Sequence, residues 1–309
     1  MEFIETVELG RSFGEIVAVE GLNLQVREGE VFGFLGPNGA GKTTTVRMLS
    51  CLIAPTKGHA YVAGNEVGRE PDSMNIRAMV GLLPETPGLY ERLSAFKNLD
   101  FYARLYGVPE RRRRERIEGL LKRLDLWERR NEAVATFSMG MKQKVSIIRA
   151  MVHEPRILFL DEPTAGLDPA ASRTVRDFIL ELKEEGRTIF LNTHNLHEAE
   201  RVCDRIGVVN THLLAQGTPR ELSARYFKPA SIFRLREATD EVVHAVEALD
   251  FVEDLKVIDS ELHISLEDAR QSNPIIARTI MEAGGKIEFI VEKERGLEDV
   301  YLRLVGEIT

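Results

Sequence analysis

Cysteine is scarce in this sequence: Cys51 and Cys203 are the only two among 309 residues. They lie far apart and form no CxxC pair, which excludes a framework of disulfides and a cysteine-based zinc site. We therefore expect both side chains to be buried thiols of a protein that works in a reducing compartment.

Long apolar runs are missing as well. No stretch approaches the roughly 18 to 20 apolar residues that a membrane-spanning helix needs, and the longest runs, such as Ile157–Leu160, have the length of buried strands. The N-terminal segment MEFIETVELG is acidic and lacks the apolar core of a secretory signal. If the protein serves a membrane process, we expect it to do so through a partner.

Positive charge is in deficit. The chain carries 41 lysines and arginines against 49 aspartates and glutamates, a formal net charge of -8, which argues against a general nucleic-acid-binding protein. The run ERRRRER at residues 110–116 is a local exception. Its interleaved Glu110 and Glu115, together with Glu118, follow helical spacing, which favours a solvated helix face over a nucleic-acid patch.

The sequence does contain a regular alternation of apolar strands and helical segments. Four strands are apolar on both faces: VFGFLG (31–36), RILFLDEP (156–163), TIFLNTH (188–194) and RIGVV (205–209). Such strands between helices predict an α/β fold with a mainly parallel core sheet. The alternating LNLQV at 22–26 instead predicts a half-buried antiparallel strand.

Helical patterns dominate from about residue 85 to 150. Within this insert, Ser94 is placed to cap a helix that ends before Gly107. Further along the chain, Asp168 is placed as a helix cap with Pro169 in the first turn. We expect both residues to begin helices.

After residue 222 the glycine-rich turns of the earlier kind disappear. The segments then follow the order β-α-β-β-α-β, which is typical of a small split βαβ domain of the ferredoxin-like type. One of its helices is predicted at 274–283, and LEDVYLRLVG forms a closing helix. We therefore divide the chain into a larger domain, 1–222, and a small α+β domain, 223–309.

The loop GPNGAGKTT fits the pattern G-x-x-x-x-G-K-[ST] between a buried strand and a helix, the context that confirms a phosphate-binding loop. Lys42 would reach the β- and γ-phosphates, Thr43 would ligate Mg²⁺, and Thr44 would bind near the α-phosphate. A glycine-rich turn without function is the alternative, which the context disfavours. The predicted nucleotide-binding residues of the loop are Gly36, Pro37, Asn38, Gly39, Ala40, Gly41, Lys42, Thr43 and Thr44.

Polar side chains stand at the ends of two other predicted strands. Asp161 and Glu162 follow ILFL, and His194 follows LNT. The carboxyl ends of strands bind ligands in open α/β sheets, so Asp161 would hold Mg²⁺ through water and Glu162 would orient or deprotonate the attacking water. His194 would donate a hydrogen bond on the γ-phosphate side. Helix capping by the two acids is the alternative, which the apolar strand before them disfavours.

Three more features have two interpretations each. Phe13 would stack on a base through its ring face, unless it is a core residue. Glu85 would contact Mg²⁺ or water, unless it caps the helix that follows. FSMGMKQK at 137–144 leads into a helix, which predicts a second anion site at that helix N-terminus.

The phosphate loop, LDEP and FSMGMKQ follow one another as in an ATP-binding cassette (ABC) transporter ATPase, which residues 1–222 resemble. FSMGM corresponds to the signature of that family, AGLD at 165–168 to its D-loop, and His194 to its switch histidine. Glu85 stands where the family has the Q-loop glutamine. Phe13 stands where it has an aromatic residue that stacks on the base.

The resemblance implies a P-loop NTPase cassette with an antiparallel β subdomain and a helical subdomain, and it implies ATP and Mg²⁺ as cofactors. Two cassettes would close head to tail, so that the signature of one covers the ATP on the phosphate loop of the other. The second cassette would be another copy or a paralogue. Ser138, Gly140 and Asp168 thereby join the predicted nucleotide-binding residues, although Met139 replaces the usual first glycine of the signature.

The segment from LLPE to LYG at 82–107 and the tail ending in LEDVYLRLVG resemble the ABC-2 type exporter ATPases. This resemblance implies an ATP-hydrolysing subunit that drives export through a separate membrane-spanning permease. The permease would hold it at the cytoplasmic face of the cell membrane, and the helical insert would transmit the movement. No nucleic-acid partner is expected.

Two alternatives to this function are a soluble ABC-type ATPase that acts on nucleic acid or ribosomes, and a non-hydrolysing regulatory cassette. Neither a fused second cassette nor a long coiled-coil insertion accompanies the motifs, which disfavours the first alternative. The presence of Lys42, Asp161, Glu162 and His194 disfavours the second.

Overall fold

The computed structural model describes residues 2–86, 88–228, 230–252, 254–266, 268–293 and 296–306. The chain divides into two compact units, the first comprising the residues up to Pro219 and those from Leu304 onward, and the second comprising Arg220–Arg303. No helix in the described ranges is both long enough and apolar enough to span a bilayer. The domain border after residue 222 lies close to this division and stays a prediction.

The first unit alternates strands and helices. Its strands are β1 (Glu2–Phe13), β2 (Ile16–Leu22), β3 (Gln25–Arg27), β4 (Val31–Leu35), β5 (Lys57–Val62), β6 (Asn65–Glu66), β7 (Val80–Leu83), β8 (Ile157–Asp161), β9 (Thr188–Thr193), β10 (Arg205–Asn210) and β11 (His212–Gly217). Its helices are α1 (Lys42–Leu49), α2 (Asp72–Met79), α3 (Ala95–Leu105), α4 (Glu110–Arg123), α5 (Met139–Met151), α6 (Pro169–Glu184) and α7 (Leu196–Val202). The next helix along the chain is α8 (Pro219–Tyr226).

The core sheet of this unit has the strand order β11-β10-β4-β9-β8-β7. Its pairs are parallel except that of β10 with β11. Phe190 on β9 lies at the centre, with ring centroids 5.1 Å from Phe34 and 5.4 Å from Phe159. Because β4, β8 and β9 are buried along their whole length, the predicted mainly parallel core sheet is confirmed.

The other sheet of this unit is antiparallel, in the order β2-β1-β5-β6 with β3 also paired to β1. Leu22, Leu24 and Val26 are buried, in line with their alternation. The prediction of a single strand there is wrong, because β2 ends at Leu22 and β3 begins at Gln25. The Thr6 hydroxyl separates them: it donates to Leu22 O and accepts from Leu24 N, both at 2.8 Å.

The helical insert is formed by α3, α4 and α5. Ser94 caps α3 as predicted, since its Oγ accepts a hydrogen bond from Lys97 N at 3.2 Å. The arginines of residues 110–116 have carboxylate partners as follows: Arg111 with Glu115, Arg112 and Arg116 with Glu154, Arg113 with Asp100, and Arg114 with Glu110. Arg113 is buried, so the prediction of a solvated face is wrong for that residue.

The two cysteines are free thiols. Cys203 is buried, as predicted, and burial raises the pKa of its thiol. A buried thiol of this kind is neutral and unreactive at physiological pH. Cys51 is only half-buried, so the prediction of burial is wrong there.

The second unit has the predicted β-α-β-β-α-β order. Its elements are β12 (Ala230–Leu235), α9 (Asp240–Glu247), β13 (Asp254–Ile258), β14 (Glu261–Ser265), α10 (Ala269–Glu282) and β15 (Ile287–Lys293), followed by α11 (Leu297–Gly306). The sheet is antiparallel in the order β13-β14-β12-β15, so β14 lies inside the split βαβ unit. Helix α10 begins earlier than predicted, because Asp268 caps it and Pro274 lies within it.

Candidate active site

Three neighbouring strands of the core sheet bring most of the predicted site residues together. Strands β4, β9 and β8 are adjacent and parallel, so their carboxyl ends meet at one edge of the sheet. The phosphate loop follows β4, His194 follows β9, and Glu162 follows β8. A cavity of about 200 Å³ at this edge is lined by Ala18, Asn38, Gly39, Gly41, Lys42, Thr43, Thr44, Glu85, Asp161, Glu162 and Asn192.

Two glycines of the phosphate loop are required by close backbone approaches. Gly41 precedes α1 at a φ of 89°, and a Cβ atom there would lie 2.2 Å from Ala18 O. A Cβ atom on Gly36 would lie 2.3 Å from Val209 O. Only glycine fits at these two positions. The loop therefore stays tightly folded at the N-terminus of α1, where backbone N–H groups and the helix dipole favour an anion.

The Lys42 side chain lies across the phosphate loop. Its Nζ donates hydrogen bonds to Gly36 O at 2.7 Å and Pro37 O at 3.0 Å. Burial lowers the pKa of Lys42, while the charges of Glu162 and Asp161 act in the opposite direction. The ammonium group is thus held by the carbonyls of the phosphate loop, where it can balance the charge of a bound phosphate.

Asp161 and Thr43 present neighbouring oxygens. Thr43 Oγ1 donates to Asp161 Oδ2 at 3.1 Å, and the Asn192 amide donates to Asp161 Oδ1. Burial raises the pKa of Asp161, and the two hydrogen bonds oppose that rise. A hydroxyl and a carboxylate are the hard oxygen ligands that Mg²⁺ prefers, so this pair fits the predicted cation.

Glu162 contacts His194 directly. Its Oε1 lies 2.8 Å from His194 Nδ1, and its Oε2 lies 3.4 Å from Thr193 Oγ1. The backbone of Glu162 has a φ of 49°, which is uncommon for a residue with a side chain. A hydrogen bond from Glu162 N to Asn192 O at 2.8 Å holds it there.

The contact limits what His194 can donate. A neutral imidazole that donates Nδ1–H to Glu162 has only a lone pair at Nε2. The predicted hydrogen bond from His194 to a γ-phosphate therefore requires either the imidazolium form or the loss of the contact with Glu162. The side chain of His194 is 65% exposed, and His194 is not among the residues that line the cavity.

Glu85 and Phe13 differ in where they lie. Glu85 lines the cavity, and its charge adds to the rise in the pKa of Asp161. Phe13 ends β1 and is not among the lining residues. Its ring is 46% exposed and has the Arg11 guanidinium 4.6 Å from its centroid. The core interpretation of Phe13 is therefore wrong, and stacking on a base stays a prediction.

Ser138, Gly140 and Asp168 lie outside the residues that line this cavity. Ser138 caps α5, with its Oγ accepting from Met141 N at 3.3 Å, and Asp168 caps α6, accepting from Ala171 N at 2.9 Å. A Cβ atom on Gly140 would lie 2.8 Å from Ala171 Cβ. Helices α5 and α6 therefore begin close to each other, and the second anion site at the N-terminus of α5 stays a prediction.

Asn192 and Ala18 also line the cavity, and the sequence did not identify them as site residues. Asn192 has a signal, because it is an amide that directly follows the apolar run IFL in the strand TIFLNT. Ala18 has none, since its backbone rather than its side chain meets the phosphate loop at Gly41.

Comparison with protein families and curated proteins gives consistent matches. The model of the ABC transporter family matches residues 19–165. A daunorubicin resistance ATP-binding protein of Streptomyces coeruleorubidus is 36% identical, covering 96% of this chain and 94% of the relative. A linearmycin resistance ATP-binding protein of Bacillus subtilis (strain 168) is 31% identical, covering 98% of both chains. A bacitracin transport ATP-binding protein of Bacillus licheniformis is 33% identical, covering 98% and 97%.

Solved structures match about 70% of the chain. An ATP-binding subunit of an ABC transporter superposes with a TM-score of 0.66 at 33% identity, covering 72% of this chain and 93% of that one. A dimeric ATP-binding cassette in a post-hydrolysis state, bound to ADP and Pi, superposes with a TM-score of 0.63 at 25% identity, covering 70% and 98%.

Proposed function

Because the chain belongs to the ABC transporter family of ATP-binding proteins, we propose that it is the motor subunit of an exporter of antibiotic-like small molecules. It is an ATP-binding and ATP-hydrolysing protein, and the cassette fold is the one that its relatives share. The observation that carries the proposed reaction is the convergence of Lys42, Asp161 and Glu162 on one cavity.

The proposed hydrolysis uses each of these side chains at a stated atom. Lys42 Nζ meets the β- and γ-phosphate oxygens, and Thr43 Oγ1 and Asp161 Oδ2 would hold Mg²⁺ directly or through water. The bound ion would supply positive charge against the phosphate oxygens. Glu162 accepts the proton of the attacking water at a carboxylate oxygen, and the contact with His194 Nδ1 orients that carboxylate.

The proposed cofactor site is completed by a second cassette. Ser138 and Gly140 lie at the N-terminus of α5, whose dipole and free N–H groups favour a phosphate. They are absent from the lining of the cavity that holds Lys42. A head-to-tail pair of chains accounts for both facts, since each signature then covers the nucleotide of the other chain, with Asp168 beside it. Closure of the pair is a population shift that ATP drives by binding the closed form more tightly.

The proposed membrane partner is a separate permease that contacts the helical insert. Apolar side chains are exposed there: Tyr90 is 49% exposed, Phe101 38% and Leu105 67%. Exposed apolar patches are typical of protein contacts. This contact would place the chain at the cytoplasmic face of the membrane. The carboxylate partners of residues 110–116 support the absence of a nucleic-acid partner.

The proposed substrate class comes from the relatives that match along nearly the whole chain, including the second unit. Their names refer to resistance to daunorubicin and linearmycin and to transport of bacitracin. We infer that the substrate is an antibiotic, bound by the permease rather than by this chain.

The test is complementation of a strain that lacks the gene. Wild-type protein restores growth in the presence of daunorubicin or bacitracin, and an affinity-tagged copy purifies from detergent-solubilised membranes with a permease. The variant Lys42→Ala purifies with the same permease but does not restore growth. Complementation by Lys42→Ala, or recovery of the tagged chain with ribosomes instead of a permease, contradicts the proposal.

A further inference from the structure

Glu198 is a buried acid close to the catalytic centre but outside the cavity. It lies in the first turn of α7, just after His194 in the chain, and its side chain is fully buried. The Asn195 side chain caps α7 by accepting from Glu198 N at 3.1 Å. A buried carboxylate is unfavourable unless it is hydrogen-bonded or paired. The partners of the Glu198 carboxylate therefore indicate what it does there.

One oxygen of Glu198 is bound by the segment that follows Glu162. Thr164 Oγ1 donates to Glu198 Oε2 at 2.5 Å. The other oxygen, Oε1, accepts no hydrogen bond within the described ranges and has Arg176 Nε of α6 at 3.7 Å. Burial raises the pKa of Glu198, while the Thr164 hydroxyl and Arg176 oppose the rise.

Thr164 belongs to a tight turn anchored on two sides. Ala165 N donates to Glu162 O and Leu167 N to Thr164 O, both at 3.2 Å. On the opposite side, the buried Gln143 of α5 donates through Nε2 to Pro163 O at 3.0 Å. The turn is therefore held between the helix that carries the signature and the helix that follows His194.

This anchoring bears on Glu162, whose backbone φ is 49°. A conformation of this kind persists only where the surroundings fix it. Asn192 O fixes Glu162 from the strand side, through its hydrogen bond at 2.8 Å. Glu198 is placed to fix Glu162 from the other side, because it binds Thr164, two residues after Glu162 in the chain.

We propose that Glu198 is a positioning residue, which acts through the Thr164 hydroxyl to hold the turn after Glu162 and so to aim the Glu162 carboxylate. The inference rests on the proposed role of Glu162 as the proton acceptor. Glu198 touches neither the cavity nor the phosphate loop, so its effect is on turnover and not on nucleotide affinity.

The test is steady-state ATP hydrolysis by the full chain. Glu198→Ala lowers kcat by about 10- to 100-fold and leaves KM for ATP within about twofold, since misplacement of a catalytic group reduces the rate while uniform binding is retained. Thr164→Val has the same effect. Glu198→Gln and Thr164→Ser retain the hydrogen bond and keep kcat within about threefold of wild type.

The double variant Glu198→Ala/Thr164→Val loses no more activity than either single variant, because both remove one linkage. Glu184→Ala, at an exposed glutamate that ends α6, is the matched control and keeps the wild-type rate. Thermal unfolding is measured for each variant. If Glu198→Ala does not fold, Thr164→Val decides the matter, since it removes only a hydroxyl and adds a methyl.

Wild-type kcat in Glu198→Ala and Thr164→Val overturns the inference, and so do a raised KM at unchanged kcat and additive losses in the double variant. Glu162→Gln is assayed in parallel. If Glu162→Gln turns over normally, the proposed role of Glu162 fails. If Glu162→Gln is inactive while Glu198→Ala and Thr164→Val are normal, the positioning inference alone fails.

Discussion

Glu162 Oε1 lies 2.8 Å from His194 Nδ1, across the carboxyl ends of two adjacent parallel strands. The register of β8 and β9, which pairs Asp161 with Asn192, makes the residues just beyond the strands neighbours. The histidine thus contacts the residue that we propose as the proton acceptor. A phosphate that draws the imidazole away would change the orientation of that carboxylate.

Replacement of the proposed proton acceptor should separate ATP binding from hydrolysis. Glu162→Gln keeps the shape of the side chain but removes its basicity, so we expect kcat to fall by about 10²- to 10⁴-fold. ATP binding is retained because Lys42 and the loop are intact. Gel filtration with ATP should then show a trapped dimer. A variant that stays monomeric and hydrolyses ATP at the normal rate contradicts the role of Glu162.

The Phe13 ring should contribute to nucleotide affinity and not to chemistry. Phe13→Ala removes a half-exposed ring face, and aromatic stacking contributes about 0.5 to 1.5 kcal/mol. We expect KM for ATP to rise about two- to tenfold at unchanged kcat. Phe13→Tyr is the control and keeps the wild-type KM. Equal KM values for Phe13→Ala and wild type would show that the Phe13 ring does not contact the nucleotide.

His153 should make the first unit less stable in acid. Its ring stacks on Tyr106 with centroids 3.7 Å apart, and its Nε2 donates to Val80 O at 3.0 Å. Its Nδ1 is buried without a hydrogen-bond partner in the described ranges, so a second proton there would be unsatisfied. Burial, with Arg116 adding to it, lowers the pKa of His153 from 6.5 to about 4.

At pH values between about 4 and 6.5, His153 carries a second ring proton in the unfolded chain but not in the folded chain. The free energy of unfolding therefore falls as the pH decreases from about 7 to about 4, by up to about 3 kcal/mol from this group. Urea unfolding followed through Trp127, the single tryptophan, measures it. His153→Phe keeps the stack on Tyr106 and should show a shallower pH dependence. The same pH dependence in both proteins contradicts the assignment.

Truncation of the Phe190 side chain should lower the free energy of unfolding more than most other core substitutions. It is fully buried and its ring contacts Phe32, Phe34 and Phe159. Phe190→Ala is expected to lower the free energy of unfolding by about 3 to 5 kcal/mol. Leu52→Ala, at a side chain that is 57% exposed, should change it by less than about 0.5 kcal/mol. A small effect at Phe190 would mean that the centre of the sheet repacks.

The sequence predicted the fold class, the family and the ATPase activity, and the comparisons confirm all three. It succeeded where local chemistry dominates, as at Ser94, which caps α3. It failed where a distant side chain decides the local structure. Thr6 interrupts a strand pattern from outside that strand, and Arg113 is buried because Asp100 of another helix pairs with it.

The same distinction applies to the site. Motifs located the phosphate loop and the acids that follow β8, because each motif is contiguous in the chain. Asn192 and Glu198 depend on contacts between strands and helices that are remote in sequence. The roles of the site residues stay predictions until they are tested by substitution.

The central claim, that two chains complete each other's nucleotide sites, is tested most directly by mixing two inactive variants. Lys42→Ala loses the phosphate-binding side and Ser138→Arg loses the signature side, so neither should hydrolyse ATP alone. In a head-to-tail pair formed from both, one composite site has an intact Lys42 and an intact Ser138. An equimolar mixture should regain about a quarter of the wild-type rate. The account is contradicted if Ser138→Arg alone hydrolyses ATP at the wild-type rate and the mixture is no more active than the sum of its two components.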